Sequence, residues 1–233
     1  EKGFTNNAGP QASEGAKKAQ STLQFEEMTT SVKTVAHYVK ASRQVLDDAS
    51  MLQSYINGRL TYGLKLKEEQ QLLNGDGTGG GIQGIMNVAQ AFADPASMKN
   101  YTIIDQLRLA LLQVVIAEYP SNGFVLNPID WAKIELEKDT TGRHIIGNPQ
   151  NLAQPTLWGV PVVQTKAITA GDFLTGSFDL GAQIFDRQQS GIAVSTENEV
   201  DFVKNLVTIL CEERLALAIY RPEAFVKGKL LAK

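Results

Sequence analysis

The sequence has little of what disulfide-stapled, metal-binding or membrane proteins are built from. Its 233 residues include one cysteine and two histidines. A single cysteine, Cys211, cannot form an intrachain disulfide, so a reducing compartment is expected. No apolar run approaches the roughly 20 residues that a membrane-spanning helix needs, and no signal peptide opens the sequence. We therefore predict a folded protein with no membrane partner and no covalent staple.

An excess of charge of one sign is also missing. The chain has 22 Lys and Arg against 25 Asp and Glu, a net charge of −3, and its pI is about 5.5. Sequence-specific nucleic-acid binding would normally leave a basic footprint, which is absent here. With 43% hydrophobic and 20% charged residues, the composition is typical of a globular protein with one large or two medium domains.

The first segment predicts an extended arm. The chain opens abruptly at Glu1 without a helix cap or targeting pattern, and we expect it to be a trimmed part of something longer. Residues 9–24 are small and polar, which is typical of an exposed loop. Residues 25–45 then bring β-branched residues in partial alternation, which indicates a strand. Together they fit a long hairpin arm with a polar tip.

The clearest helix follows, from about residue 47 to residue 73. Asp47, Asp48 and Ser50 offer N-caps, and Gly75 or Gly77 can take the left-handed stop. The apolar stripe that predicts the helix is formed by Leu52, Tyr55, Ile56, Leu60, Leu64 and Leu73. Two internal glycines, Gly58 and Gly63, each cost the helix about 1 kcal/mol relative to alanine. We expect close packing against another element to explain both.

The rest of the chain mixes helices and strands, which indicates an α/β or α+β fold. Residues 102–119 predict a helix with Pro120 and Gly123 as terminators. "GFVLNP" predicts a buried strand, followed by a helix with Pro128 in its first turn. Short strands are expected between residues 157 and 187. The last block, residues 190–230, predicts three strands of one antiparallel sheet.

A glycine-rich stretch, residues 75–81, resembles several ligand loops without completing any of them. It matches the G-x-G-x-x-G pattern, but it follows a helix, whereas a dinucleotide fingerprint follows a strand. No Lys-Ser or Lys-Thr completes a P-loop. As a calcium loop it has Ile85 where a glutamate is needed. A turn or hinge leaving the helix is the better account, and a soluble enzyme built on this loop has no other support.

Catalytic and metal-binding motifs are scarce as well. His37 and His144 have no Cys or Asp cluster near them at metal-ligand spacing, so neither a metal site nor a cofactor is predicted. No G-x-S-x-G elbow appears. Cys211 lies in an apolar run and is expected to be a buried, inert thiol.

One segment raises a sharper question. Residues 205–220, "NLVTILCEERLALAIY", form an apolar run interrupted by Glu212, Glu213 and Arg214. Either these charges lie on a solvent-exposed edge of a buried element, or a carboxylate is kept near apolar surface for a chemical purpose.

Several stretches bear on that question together: "FTNNA", residues 31–79, "FVLNPIDWAKI", "LWGVPVVQTKA" and "DFVKNLVTILCEERLALAIYRPEAFVKG". In this order they resemble the major capsid proteins of tailed bacteriophages of the Hong Kong 97 type, over essentially the whole chain. The resemblance implies that family's α+β fold. Residues 1–35 would form the extended E-loop, 36–78 with 187–233 the peripheral domain of spine helix and antiparallel sheet, and 79–186 the axial domain.

The resemblance also implies a structural function. Copies of the chain would bind each other as pentamers and hexamers and close into an icosahedral shell around phage DNA, without sequence-specific DNA contacts. A prohead protease and a portal would be further partners. Assembly would take place in the cytoplasm of a bacterial host, and the product would be a virion capsid. The alternative is an encapsulin-type bacterial nanocompartment, which shares the fold.

In some members of that family, the subunits of the shell are covalently crosslinked by isopeptide bonds between a lysine and an asparagine. By resemblance, the lysine here is Lys18, with Lys17 as the alternative because the loop carries a one-residue insertion. The asparagine is Asn205, and Glu212 is the catalytic base. A protonated lysine is not a nucleophile, so a neighbouring carboxylate must take its proton, and burial that raises the carboxylate pKa improves the base.

The spacing of these residues makes a separate prediction. Asn205 and Glu212 are seven residues apart, which is about 23 Å on a strand and about 10 Å on a helix. Neither distance lets them share one reaction centre within a subunit, so the site would be assembled from different subunits. The plain alternatives are a solvated turn edge for Glu212, a strand-end cap for Asn205 and a solubilising loop tip for the two lysines.

Overall fold

The structure, a computed structural model, describes residues 3–44, 50–139, 141–146 and 154–231. The helices are α1 (Ser50–Asn74), α2 (Ile85–Val88), α3 (Ile103–Ile116), α4 (Pro128–Glu135), α5 (Phe178–Gly181) and a 3-10 turn at Pro222–Ala224. The strands are β1 (Gly3–Thr5), β2 (Thr22–Gln24), β3 (Lys33–Ser42), β4 (Gln90–Ala91), β5 (Gly123–Leu126), β6 (Thr156–Leu157), β7 (Val160–Gln164), β8 (Asp172–Gly176), β9 (Ala182–Ser195), β10 (Leu206–Ile219) and β11 (Phe225–Lys229). The chain divides into two compact units, Glu1–Ser31 and Val32–Lys233.

The first unit is a hairpin arm. Strands β1 and β2 pair antiparallel, with Phe4 opposite Leu23. Asn7 continues the pairing, because its backbone N–H donates to Ser21 Oγ at 3.1 Å and its side-chain amide donates to the Gln20 carbonyl at 2.9 Å. The polar stretch forms the tip between β1 and β2, but β2 lies inside the stretch predicted as the tip, and the strand predicted in residues 25–45 is β3, which pairs with β10 and not with the arm.

The second unit contains a three-stranded antiparallel sheet in the order β3-β10-β9, with α1 packed on one face. Burial alternates along β3, as its sequence predicts, with Val35, His37 and Val39 more buried than Thr34, Ala36 and Tyr38. On the helix side the core consists of Leu60, Leu64, Val207, Ile209 and Cys211.

Helix α1 has 25 residues and is about 38 Å long. The proposed caps Asp47 and Asp48 lie outside the described residues, and Ser50 is the first helical residue. The helix ends at Asn74, and Gly77 takes the left-handed conformation with φ +72°. Tyr55, which we expected in the apolar stripe, is 64% exposed. That expectation was wrong because the helix packs on the sheet along a narrower stripe.

The two helix glycines differ in their surroundings. A Cβ on Gly63 would lie 3.0 Å from His37 Cε1, and the His37 Nε2 atom is 2.8 Å from the Leu60 carbonyl oxygen. Gly63 therefore leaves room for the imidazole, which confirms the close packing expected at this glycine. Gly58 is exposed, and a Cβ there would meet nothing within 4 Å. Close packing against another element of the same subunit therefore does not explain Gly58, and that prediction is wrong.

The same unit also contains a six-stranded sheet in the order β4-β11-β8-β5-β7-β6. Strand β5 is buried along its length, and Asn127 then caps α4, which begins at Pro128 as predicted. Thr102 caps α3 through a reciprocal capping box with Asp105. Helix α3 ends at Ile116, before the predicted terminators Pro120 and Gly123. Two residues after the helix end, Glu118 adopts a left-handed backbone with φ +68°.

The prediction that the last three strands share one antiparallel sheet is wrong for the last of them. Strands β9 and β10 share the three-stranded sheet, but β11 pairs with β8 and β4 in the six-stranded sheet. Phe225 and Val226 are consecutive and both fully buried, a pattern typical of a strand covered on both faces rather than one. The boundaries predicted for the arm, peripheral and axial domains stay a prediction.

Candidate crosslinking site

Strand β10 has two faces with different chemistry. Val207, Ile209, Cys211 and Glu213 alternate along the chain and are all buried on the side that faces α1. Glu212 points to the opposite face and is half-buried. The interruption in the apolar run therefore places one glutamate on each side of the sheet, because successive side chains of a strand point to opposite faces.

Small residues flank Glu212. Its cross-strand partners are Ala36 on β3 and Gly191 on β9, and a Cβ on Gly191 would meet no side chain within 4 Å. Gln188 Nε2 donates to Glu212 Oε1 at 3.4 Å across an irregularity in the β9 register. The carboxylate thus has open space beside it, which a side chain from outside the sheet can enter.

Glu213 is the carboxylate that lies in apolar surroundings. It is 1% exposed, and Lys65 Nζ donates to its Oε2 atom at 3.1 Å. Its Oε1 atom has no hydrogen-bond partner among the described residues. Burial raises the pKa of Glu213, and the hydrogen bond from Lys65 opposes that shift. Because α1 covers it, Glu213 is not reachable by an incoming lysine.

Asn205 stands one residue before β10, at the end of the loop after β9. Its side chain is exposed and its backbone is left-handed, with φ +52°. Asparagine tolerates that conformation better than most residues. The Asn205 carbonyl accepts a hydrogen bond from the Arg43 N–H at 2.9 Å. An exposed amide on a fixed backbone is accessible to a nucleophile.

The strand assignment supports the spacing argument. Leu206 to Glu212 are consecutive residues of one strand, so Asn205 and Glu212 are separated by about 23 Å along it. One subunit does not bring the two together. Lys17 and Lys18 are both exposed near the tip of the arm, in the other compact unit.

The glycine-rich stretch is a turn in which Asp76 bridges to Gln83, and a Cβ on Gly75 would lie 2.0 Å from the Ile82 carbonyl oxygen. Among the residues that the structure describes, no group of three His, Cys, Asp or Glu side chains could hold a metal ion. Within the same ranges, no helix is both long enough and apolar enough to cross a bilayer.

A comparison with protein families identifies the architecture. A model described as "Phage capsid family" matches residues 1–230. The chain belongs to the phage capsid family. Within that family, the protein named major capsid protein of Enterobacteria phage HK97 is 53% identical over 225 residues, which cover 97% of this chain and 58% of that protein. This chain therefore spans less than two thirds of that relative.

Solved structures confirm the phage capsid fold. One is titled the capsid of an empty GTA particle computed with C5 symmetry; it has a TM-score of 0.72 and 20% identity, covering 98% of this chain and 81% of that chain. Another, from Gordonia phage Cozz, has a TM-score of 0.77 and 18% identity, covering 98% and 79%. At these identities the likeness concerns the fold. The matches confirm the predicted Hong Kong 97-type fold, while the family model and the 53% identical phage protein favour a phage capsid over an encapsulin.

Sequence reasoning missed two features of this phage capsid chain. The first is the burial of Glu213, although its spacing of two from Val207, Ile209 and Cys211 is a signal that could have shown it. The second is the buried carboxylate of Asp201, which is 0% exposed and precedes Asn205 by four positions. No local pattern indicates it, because its charged partner Lys40 lies 161 positions away in the sequence, although Thr208 is only seven positions away.

Proposed function

We propose that the chain is the major structural subunit of a phage head, which assembles with copies of itself into an icosahedral shell around DNA. The observation that carries this proposal is the 53% identity, over 97% of this chain, to a protein named major capsid protein. Packaged DNA would be enclosed without sequence-specific contacts, in keeping with the net charge of −3 and the absence of a basic excess. A prohead protease and a portal would act with the subunit during assembly in the bacterial host cytoplasm.

The arm supports self-assembly. None of its described residues, 3–31, is buried. Its apolar side chains stay exposed: Phe4 58%, Leu23 49%, Phe25 76% and Met28 78%. A two-stranded hairpin is marginally stable without a surface to pack on, and such apolar surface is typical of an interaction site. A neighbouring subunit supplies that surface.

Neighbouring subunits are then joined by an isopeptide bond. Glu212 takes a proton from the ammonium group of Lys18 or Lys17, and the neutral amine attacks the side-chain carbonyl carbon of Asn205. The tetrahedral adduct returns a proton to the departing nitrogen, which leaves as ammonia, and a new C–N bond remains. The amide is a poor electrophile and reacts only when the groups are held in contact.

At least two subunits meet in this reaction. Because β10 separates Asn205 from Glu212, each residue serves a different crosslink, and each crosslink is completed by neighbours. The reaction is therefore silent in a free subunit and starts on assembly.

The proposal is tested with the complete gene product, expressed with its protease. Electron microscopy shows whether closed shells form, and boiling in detergent before electrophoresis shows whether subunits are covalently joined. Shells and a ladder of bands are expected. Absence of shells under assembly conditions contradicts the structural role, whereas shells that give only monomer bands contradict crosslinking alone. Replacement of Lys18, Lys17, Asn205 or Glu212 by alanine identifies which side chains the ladder requires.

A further inference from the structure

The loop that ends at Asn205 is fastened to the sheet by a buried carboxylate. Asp201 Oδ1 accepts a hydrogen bond from Lys40 Nζ at 2.9 Å, and its Oδ2 accepts one from Thr208 Oγ1. The Asp201 side chain is fully buried, while that of Lys40 is 27% exposed. Lys40 and Thr208 are directly opposite each other on β3 and β10. The carboxylate is therefore attached to two neighbouring strands at a fixed register.

The same residue holds the backbone around Asn205. The Asp201 carbonyl accepts the Leu206 N–H at 2.9 Å, which closes the turn that contains Asn205. On the other side, the Asn205 carbonyl accepts the Arg43 N–H. Both bonds hold the peptide group that follows the Asn205 Cα, and the Asn205 N–H of the preceding peptide group donates to the Phe202 carbonyl at 3.5 Å. The left-handed φ of +52° is maintained between these two peptide groups.

We propose that Asp201, Thr208 and Lys40 form a positioning cluster that sets the direction in which the Asn205 side chain meets an incoming lysine. This inference rests on the crosslinking function proposed above. None of the three residues touches the reacting atoms in the proposed reaction. They act by fixing the backbone of the electrophile, and proximity chemistry is sensitive to displacements of about 1 Å.

The electrostatics of the cluster keep it intact at neutral pH. The hydroxyl of Thr208 and, next, the ammonium group of Lys40 hold the pKa of Asp201 below its ordinary value. Glu199 also contacts Lys40, at 3.1 Å, but its side chain is 73% exposed. The ionised Asp201 therefore keeps both of its partners near neutral pH.

The test compares Thr208→Val and Thr208→Ser in assembled shells of the complete gene product. Valine removes the hydroxyl at nearly constant volume, whereas serine keeps it. Thr156→Val is the matched control, because Thr156 is an exposed strand threonine in the other sheet. Crosslinking is followed as the intensity of multimer bands against time, in shells whose integrity is checked by microscopy. Asp201→Asn provides a second, independent disturbance of the cluster.

We expect Thr208→Val and Asp201→Asn to slow crosslinking by roughly 10- to 100-fold, with the final extent of crosslinking preserved. Thr208→Ser and Thr156→Val should crosslink at the wild-type rate. A defect in folding alone would lower the extent at an unchanged rate, and that result would overturn the positioning role. Wild-type rates in both cluster variants would overturn it as well. If wild-type shells do not crosslink, the proposed reaction itself fails, and this inference fails with it.

Discussion

The two glycines of α1 allow the packing of this helix on the sheet to be measured. Gly58 and Gly63 lie in the same helix, one in open space and one against His37. Alanine in an exposed helix interior is favoured over glycine by about 1 kcal/mol. We therefore expect Gly58→Ala to stabilise the unassembled chain by about that amount, or about 2–4 °C in Tm for a chain of this size.

Gly63→Ala should not give that gain. The new Cβ would lie 3.0 Å from His37 Cε1, well inside the roughly 3.5–4.0 Å of a normal carbon–carbon contact. The imidazole must move away from the Leu60 carbonyl, a hydrogen bond of 2.8 Å. Loss of that bond leaves the part-buried imidazole nitrogen without its partner, which costs about 1–3 kcal/mol. The sum predicts a destabilisation of roughly 0–2 kcal/mol.

A double-mutant cycle separates the contributions. In a His37→Ala background the obstacle is gone, so Gly63→Ala should regain a stabilisation of about 1 kcal/mol. Urea unfolding of the four variants gives the coupling free energy. Equal stabilisation by the two glycine replacements, or an effect of Gly63→Ala that is unchanged by His37→Ala, would refute the assigned packing.

Two further predictions concern buried polar groups. Burial raises the pKa of Glu213, so the folded chain binds the carboxyl proton more tightly than the unfolded chain does. Above pH 7, where Glu213 is ionised at a cost to the folded state, Glu213→Gln should therefore raise Tm. The difference in Tm between variant and wild type should shrink as pH falls through the raised pKa toward the ordinary value of about 4.3. The exposed Glu197→Gln is the control, and a pH-independent difference would count against the assignment. Asn127 caps α4 and also donates to the buried Ile168 carbonyl at 2.8 Å, so Asn127→Ala should cost about 2–4 kcal/mol in urea unfolding. Thr102→Ala removes an exposed cap and should cost only about 1 kcal/mol; equal costs would contradict the double role of Asn127.

Local patterns predicted much of the fold. The polar stretch between β1 and β2 predicted a hairpin tip, and the apolar period with its glycine stop predicted α1. Asn127 and Pro128 predicted the start of α4. These features depend on interactions between residues close in sequence, which a single sequence displays directly.

What could not be predicted depends on tertiary contacts. The pairing of β11 with β8 follows from the crossing of the chain at Pro222–Ala224, next to Gly176, where a Cβ would lie 2.4 Å from the Ala224 carbonyl oxygen. No local pattern specifies that approach. The same holds for the ion pair of Asp201 with Lys40, which is 161 positions away in the sequence. At the candidate site, resemblance supplied the residues and strand spacing supplied their separation.

The central claim is that subunits join each other through a lysine of one copy and Asn205 of another. Shells co-assembled from two isotopically distinct subunits test it most directly: one lacks both Lys17 and Lys18, the other carries Asn205→Ala. Each alone should give only monomers on a denaturing gel. Mixed shells should give dimers, and mass spectrometry should find Lys17 or Lys18 joined to Asn205, with loss of ammonia, always between differently labelled chains. Mixed shells that form normally and stay monomeric on the gel, while wild-type shells give a ladder, would contradict the claim.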